Sequence, residues 1–169
     1  EFMAWQLRPT AHPLVTTGQA PVFLGPTNTI DRMSQPDWDS LSEVYLRPEL
    51  KERVAAGAVP DSTVSDLQIS AHEIRFRVTT SGETLAVIAQ NYYHPWQASV
   101  GGEAVELLRA NHAFQAVSVP AGEHEVVLRY VDHKFRLGLG LCLVGLLMCG
   151  WLWRVGKTVE GSGSSVACE

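Results

Sequence analysis

The stretch Trp96-Gln97-Ala98-Ser99-Val100-Gly101-Gly102-Glu103-Ala104-Val105-Glu106-Leu107-Leu108 decides the fold. Trp96, Ala98 and Val100 alternate with Gln97 and Ser99, the two-residue period of a strand with one buried face. Gly101-Gly102 supplies two residues free to take positive φ, which the tightest hairpin turns require, and residues 104–108 return as the partner strand. A chain that turns back on itself this tightly builds antiparallel sheet.

Working outward, the same logic repeats. Ile74, Phe76 and Val78 alternate with Arg75, Arg77 and Thr79, another half-buried strand. Residues 85–89 are continuously apolar, as a central strand covered on both faces should be. Residues 113–119 run into the turn Pro120-Ala121-Gly122. On the last strand Val126, Leu128 and Tyr130 alternate, and His124 and Glu125 are expected at the solvent. The expectation is a mainly β fold: an antiparallel β-sandwich of six or seven strands over residues 61–133. Residues 1–60 read as an irregular, partly helical N-terminal segment. Within it Pro21-Val22-Phe23-Leu24 could form a short edge strand. Residues 37–57 carry the helical part, with Pro48 suited to a first turn and Gly57 to an end. Glu1-Phe2-Met3 do not read as a natural start and are set aside.

Between Arg136 and Arg154 lie 17 residues that are all apolar or glycine. Such a run makes roughly 26 Å of helix at about 1.5 Å per residue. With the two arginines snorkelling and Trp151 and Trp153 at headgroup level, it reads as one transmembrane helix over residues 134–156. Residues 157–169, with their Gly-Ser-Gly-Ser-Ser, read as a flexible tail. Gly138, Cys142, Gly145 and Cys149 recur at steps of four, three and four and form one seam of small residues, suited to close packing on other helices. Basic residues flank the run almost evenly, so charge does not orient it. Cysteine is absent before Cys142, so the preceding residues need no disulfide.

The chain has 13 basic and 18 acidic side chains, a formal charge of −5, which argues against a nucleic-acid partner. The six histidines, His12, His72, His94, His112, His124 and His133, include no pair at metal-ligand spacing. No HExxH, CxxC, nucleotide loop or GxSxG elbow occurs, so neither a metal nor a cofactor is expected and no reaction is specified. Asp37 and Asp39 flank Trp38 and suit turn or cap roles better than acid-base chemistry. The aromatic cluster Tyr92, Tyr93 and Trp96 stands beside His94-Pro95, where a strand is interrupted. With Asn91 and Gln97 nearby it could stack on a sugar ring or lie at a membrane surface; alternatively it plugs the end of the sandwich. Alternation turns Trp96 inward and favours the second reading.

From Leu85 to Leu141, and loosely over residues 64–84, the sequence resembles the C-terminal end of bacterial YfhO-like membrane proteins. That family shows Tyr-Tyr-Pro-Gly-Trp-x-Ala-x-Val-Asp-Gly, then Asn-x-x-Phe, Pro-Ala-Gly-x-His and a Tyr shortly before the last membrane helix. Tyr92, Tyr93, Trp96, Ala98, Val100, Gly102, Asn111, Phe114, Pro120, Gly122, His124, Tyr130, Phe135 and Gly138 occupy those places. His94-Pro95 stands for the usual Pro-Gly and Gly101 for the usual Asp, a change the hairpin tolerates. The resemblance implies the C-terminal module of a polytopic protein related to glycosyltransferases of the C-type fold, which use polyprenyl-phosphate sugars to build cell-envelope polymers. Their catalytic acidic residues lie in an early loop with no counterpart here, so this piece is expected to be non-catalytic. The β-domain is expected outside the bacterial cytoplasmic membrane and the tail 157–169 in the cytoplasm, with Tyr92, Tyr93, Trp96 and Asn111 as candidate contacts to glycan or carrier. Implied partners are membrane lipid, the parent's other transmembrane helices, and an envelope glycan or polyprenyl-phosphate sugar. The rival expectation is a single-span surface protein whose sandwich binds a glycan or protein.

Overall fold

The longest ladder joins β5 (Glu73–Thr80) to β11 (Gly122–Tyr130), antiparallel from Gly122 opposite Thr80 to Arg129 opposite Glu73. This register puts Phe76 opposite Val126 and Ile74 opposite Leu128, and all four are buried. On the other face Arg75 pairs with Glu73 and Glu125 at 3.0 and 3.1 Å, Arg77 with Glu123 and Asp66, and Arg129 with Glu73 at 2.7 Å. Arg129 and then Arg75 hydrogen-bond Glu73 and hold its carboxyl below the usual range. These exposed pairs select which face meets water more than they stabilise it.

The computed structural model describes residues 12–59 and 61–161, which divide between Val131 and Asp132 into two units. In the first unit, β4 (Thr63–Ile69), β5, β11, β7 (Trp96–Val100) and β8 (Glu103–Val105) form one antiparallel sheet in that order. The second sheet runs β1 (Val15–Thr17), β6 (Thr84–Ile88), β10 (Phe114–Val119), β9 (Leu108–Ala110), β3 (Glu43–Leu46) and β2 (Ala20–Phe23). Between the sheets lie Phe76, Val78, Ala86, Ile88, Trp96, Val117, Val126 and Leu128. Burying each of the larger side chains contributes roughly 1.5–3 kcal/mol. On the far side of the six-stranded sheet, Leu85, Val87 and Ala116 meet Val44, Leu46, Leu50 and Val54. β6 is therefore buried on both faces, which is why its sequence is continuously apolar.

The hairpin between β7 and β8 forms as its glycines require. Val100 pairs with Glu103, and Gly101 and Gly102 take φ of 59° and 88°. A Cβ at Gly101 would meet only the His124 ring at 3.6 Å, and Asp accepts this backbone conformation where a β-branched residue does not. Gly101→Asp should leave the urea midpoint nearly unchanged, whereas Gly102→Val should lower unfolding free energy by about 1–2 kcal/mol. Equal midpoints for the two variants would contradict the positive-φ account.

Several expectations need correction. The described residues form eleven strands, and the sandwich is not wholly antiparallel, because β2 and β3 run parallel. Residues 104–108 do not form one strand: β8 and β9 belong to different sheets, and the chain crosses at Glu106 and Leu107. The N-terminal segment contributes strands β1 to β3 to the six-stranded sheet, and its α-helix, α1 (Pro26–Met33), lies earlier than expected. Over residues 37–57 only a 3-10 turn, Pro48–Leu50, is helical. Tertiary packing decides here, since Leu50 and Val54 need only one turn to reach the apolar cluster on the outer face.

The second unit is α2 (His133–Gly161), opened by the Asp132 carboxylate, which accepts from the Phe135 N–H at 2.9 Å. The transmembrane reading of residues 134–156 is overturned: among the described residues no helix is long and apolar enough to cross a membrane. The 17-residue run between Arg136 and Arg154 gives roughly 26 Å, less than the hydrocarbon core of about 30 Å. The helix continues past Lys157 into the expected tail. The readings of Glu1-Phe2-Met3 and of the tail beyond residue 161 lie outside the described residues.

Candidate functional site

The chain crosses from β6 to β7, and so from one sheet to the other, through residues 89–95 at one end of the sandwich. Buried Gln115 holds this crossing by donating from Nε2 to the Asn91 carbonyl at 2.9 Å. The Tyr92 N–H donates to Ala113 O, and the Trp96 N–H to Tyr93 O at 3.1 Å, closing a turn over His94-Pro95. With both ends tied, the aromatic residues between them have few places to go.

Trp96 is 9% exposed and belongs to the inter-sheet core. Its ring meets Tyr130 edge-on, with centroids 5.6 Å apart at 75°. Tyr93 is 55% exposed and stacks on Tyr130 at 6.3 Å and 17°. Tyr92 is half-buried and meets the His94 ring at 5.9 Å. Tyr92, Tyr93, Trp96 and Tyr130, with His72, Gln90, Asn91 and Arg109, line an open groove of about 690 Å³. A second groove of about 800 Å³ shares Tyr92, Tyr93 and Arg109 and adds Arg47. The two tyrosines therefore stand as a wall between two troughs.

Asn111 is placed differently. It is 4% exposed and takes φ of 43° in the turn between β9 and β10. Its Oδ1 accepts from the Tyr45 N–H at 2.8 Å, and its own N–H donates to the Tyr45 carbonyl at 2.9 Å. The side chain that sequence reading set among the contacts is committed to joining β3 to β9.

Beside this turn is a smaller pocket of about 130 Å³, lined by Leu24, Pro26, Thr29, Tyr45, Leu46, Arg47, Arg109 and His112. Burial, and after it a hydrogen bond to Glu43 at 2.5 Å, push the Tyr45 phenol up to about 12. Its hydroxyl is therefore a neutral group at ordinary pH. Of the other residues singled out, Asp39 takes a turn role, accepting from the Leu41 N–H at 2.9 Å and from the Ser42 hydroxyl. The Ser42 and Leu41 bonds hold its carboxyl below the usual range. Asp37 pairs with Arg32 at 2.8 Å. His124 is half-buried, its Nε2 at 3.1 Å from Ala121 O. Among the described residues no group of three His, Cys, Asp or Glu side chains is placed to hold a metal ion.

Gly138, Cys142, Gly145 and Cys149 all lie on α2, where their spacing sets them on one face. Cys142 and Cys149 are exposed, and a Cβ added at Gly138 or Gly145 would meet nothing within 4 Å. His72, Arg47 and Arg109 were not foreseen as site residues. Arg109 alternates between buried Leu108 and Ala110 like any outward strand residue, and Arg47 comes from a segment expected to be irregular and partly helical.

No curated protein and no solved structure matches the chain. A model of the family described as bacterial membrane protein YfhO matches residues 51–142, more than half of the sequence. The match takes in β4 to β11, the crossing loop with its tyrosines, Arg109 and the start of α2. The chain therefore belongs to the YfhO family of bacterial membrane proteins.

Proposed function

We propose that this chain is the non-catalytic, extracytoplasmic C-terminal module of a polytopic membrane protein resembling polyprenyl-phosphate-sugar-dependent cell-envelope glycosyltransferases. Its role is to hold a glycan, or the sugar of a lipid carrier, in the grooves at the end of the sandwich. The observation that carries the reading is Tyr93, 55% exposed yet ordered by stacking on Tyr130. An exposed aromatic held flat costs little to order on binding and offers a sugar ring its apolar face. Asn91 and Gln90 at the groove wall supply amide groups for hydroxyls. The seam of Gly138, Cys142, Gly145 and Cys149 would be a face on which α2 packs closely against another helix.

The test is Tyr93→Ala in the full chain, titrated with envelope-derived oligosaccharides. Loss of most binding, about tenfold or more, with an unchanged near-UV circular dichroism spectrum is expected. Undiminished binding would remove Tyr93 from the site, and no binding by the parent chain would overturn the reading.

A further inference from the structure

Among the described residues, two guanidinium groups near the aromatic wall have no carboxylate partner. Among the described residues the ion pairs engage Arg32, Arg53, Arg75, Arg77 and Arg129, but neither Arg47 nor Arg109. Both line the 130 Å³ pocket, His112 lines it with them, and no acidic residue does. Glu43, which accepts from the hydroxyl of the pocket residue Tyr45 at 2.5 Å, has Arg32 at 4.0 Å, and Glu106, on the larger groove, pairs with Arg53. Arg109 is oriented from within the protein: its Nε donates to the His112 carbonyl, which fixes the plane of the guanidinium and leaves its two terminal nitrogens to donate elsewhere. A half-fixed guanidinium with a second beside it suits a planar or tetrahedral oxyanion, which accepts two parallel N–H bonds. The same two arginines also line the 800 Å³ groove together with Tyr92, Tyr93, Glu49 and Glu106. A ligand on the tyrosines thus reaches the basic pocket without leaving the surface.

We propose that Arg47, Arg109 and His112 form an oxyanion subsite beside the aromatic grooves, so that the preferred ligand is an anionic sugar carrying a phosphoryl or carboxylate group. The subsite rests on the glycan-holding reading and names the substrate class for it. Glu49 and Glu106 on the larger groove oppose an anion there, so an anionic group gains in the smaller pocket, which no acidic residue lines.

The 169-residue chain in a neutral detergent would be titrated by NMR with glucose, glucose 1-phosphate, glucuronate and inorganic phosphate. Both anionic sugars should bind about tenfold more tightly than glucose, as expected for charge-assisted hydrogen bonds, and phosphate should compete with them. Preference for the phosphate over glucuronate, or the reverse, identifies which oxyanion the pocket takes. Arg47→Gln and Arg109→Gln should each abolish most of the preference for the anionic sugars over glucose. Arg47 is exposed, so its variant reads the subsite even where Arg109→Gln unsettles the turn at His112. Equal binding of all three sugars, or a preference that survives both substitutions, would overturn the subsite while the groove reading stands. Absence of binding by every sugar would overturn both.

Discussion

Trp96→Ala is expected to lower the free energy of unfolding by about 3–5 kcal/mol, the range for deleting a large aromatic from a packed core. The side chain is 9% exposed and belongs to the inter-sheet cluster. Its residue pairs with Tyr130 across β7 and β11, and their rings meet edge-on at 5.6 Å. Losing it opens a cavity at the sandwich end and removes an aromatic pair worth about 0.5–1.5 kcal/mol beyond area alone. Typical domains have only about 5–15 kcal/mol in hand, so the urea midpoint should fall steeply. Tyr93→Ala, at an exposed position, should cost less than about 1 kcal/mol. The contrast separates two residues three apart in sequence: one builds the sandwich end and the other presents it. A Trp96→Ala midpoint equal to that of Tyr93→Ala would contradict the core assignment. Loss of glycan binding in Trp96→Ala is to be read only beside its spectrum, since an unfolded end presents no groove.

What the sequence made legible follows from how each strand is covered. β5, β7 and β11 each have one face on the inter-sheet core and one turned outward, and a two-residue alternation records that directly. β6 is covered on both faces, and its unbroken apolar run records that too. β1, β2 and β3 have three or four residues each, too few for any period to show. Their place is set by long-range pairing, as when β2 joins β3 in parallel with Ala20 opposite Glu43. β8 and β9 were read as one strand because their boundary at Glu106 and Leu107 carries no glycine or proline to mark a change of sheet. At the site, Tyr92, Tyr93 and Trp96 stood out by composition. Arg47 and Arg109 come together only through the pairing of β3 with β9, so no local pattern could have named them.

That pairing is the reason Asn111→Ala should be the second large effect, lowering unfolding free energy by about 2–4 kcal/mol. β3 meets β9 at a single residue pair, Leu46 opposite Ala110. The next link is the reciprocal pair of bonds between Asn111 and Tyr45, at 2.8 and 2.9 Å. Removing the Asn111 carboxamide leaves the Tyr45 N–H buried without an acceptor, at a cost of about 1–3 kcal/mol. It also puts alanine at φ of 43°, a conformation asparagine accepts more readily, at a cost of about 1 kcal/mol. Asn111→Gly keeps the conformation and loses only the hydrogen bond, so it should cost about 1–3 kcal/mol, less than Asn111→Ala by the backbone strain. Hydrogen exchange locates the damage: amides of Val44, Tyr45 and Leu46 should exchange faster in both variants, while those of β5 and β11 hold their rates in Asn111→Gly. Unchanged exchange along β3 would show that Asn111 does not join the strands. Because Arg47 directly follows β3, loosening that strand also frees its guanidinium from the pocket it shares with Arg109. The anionic-sugar preference should therefore weaken in Asn111→Gly even though Asn111 itself touches no ligand, which separates a positioning role from the direct contact its sequence alone suggested.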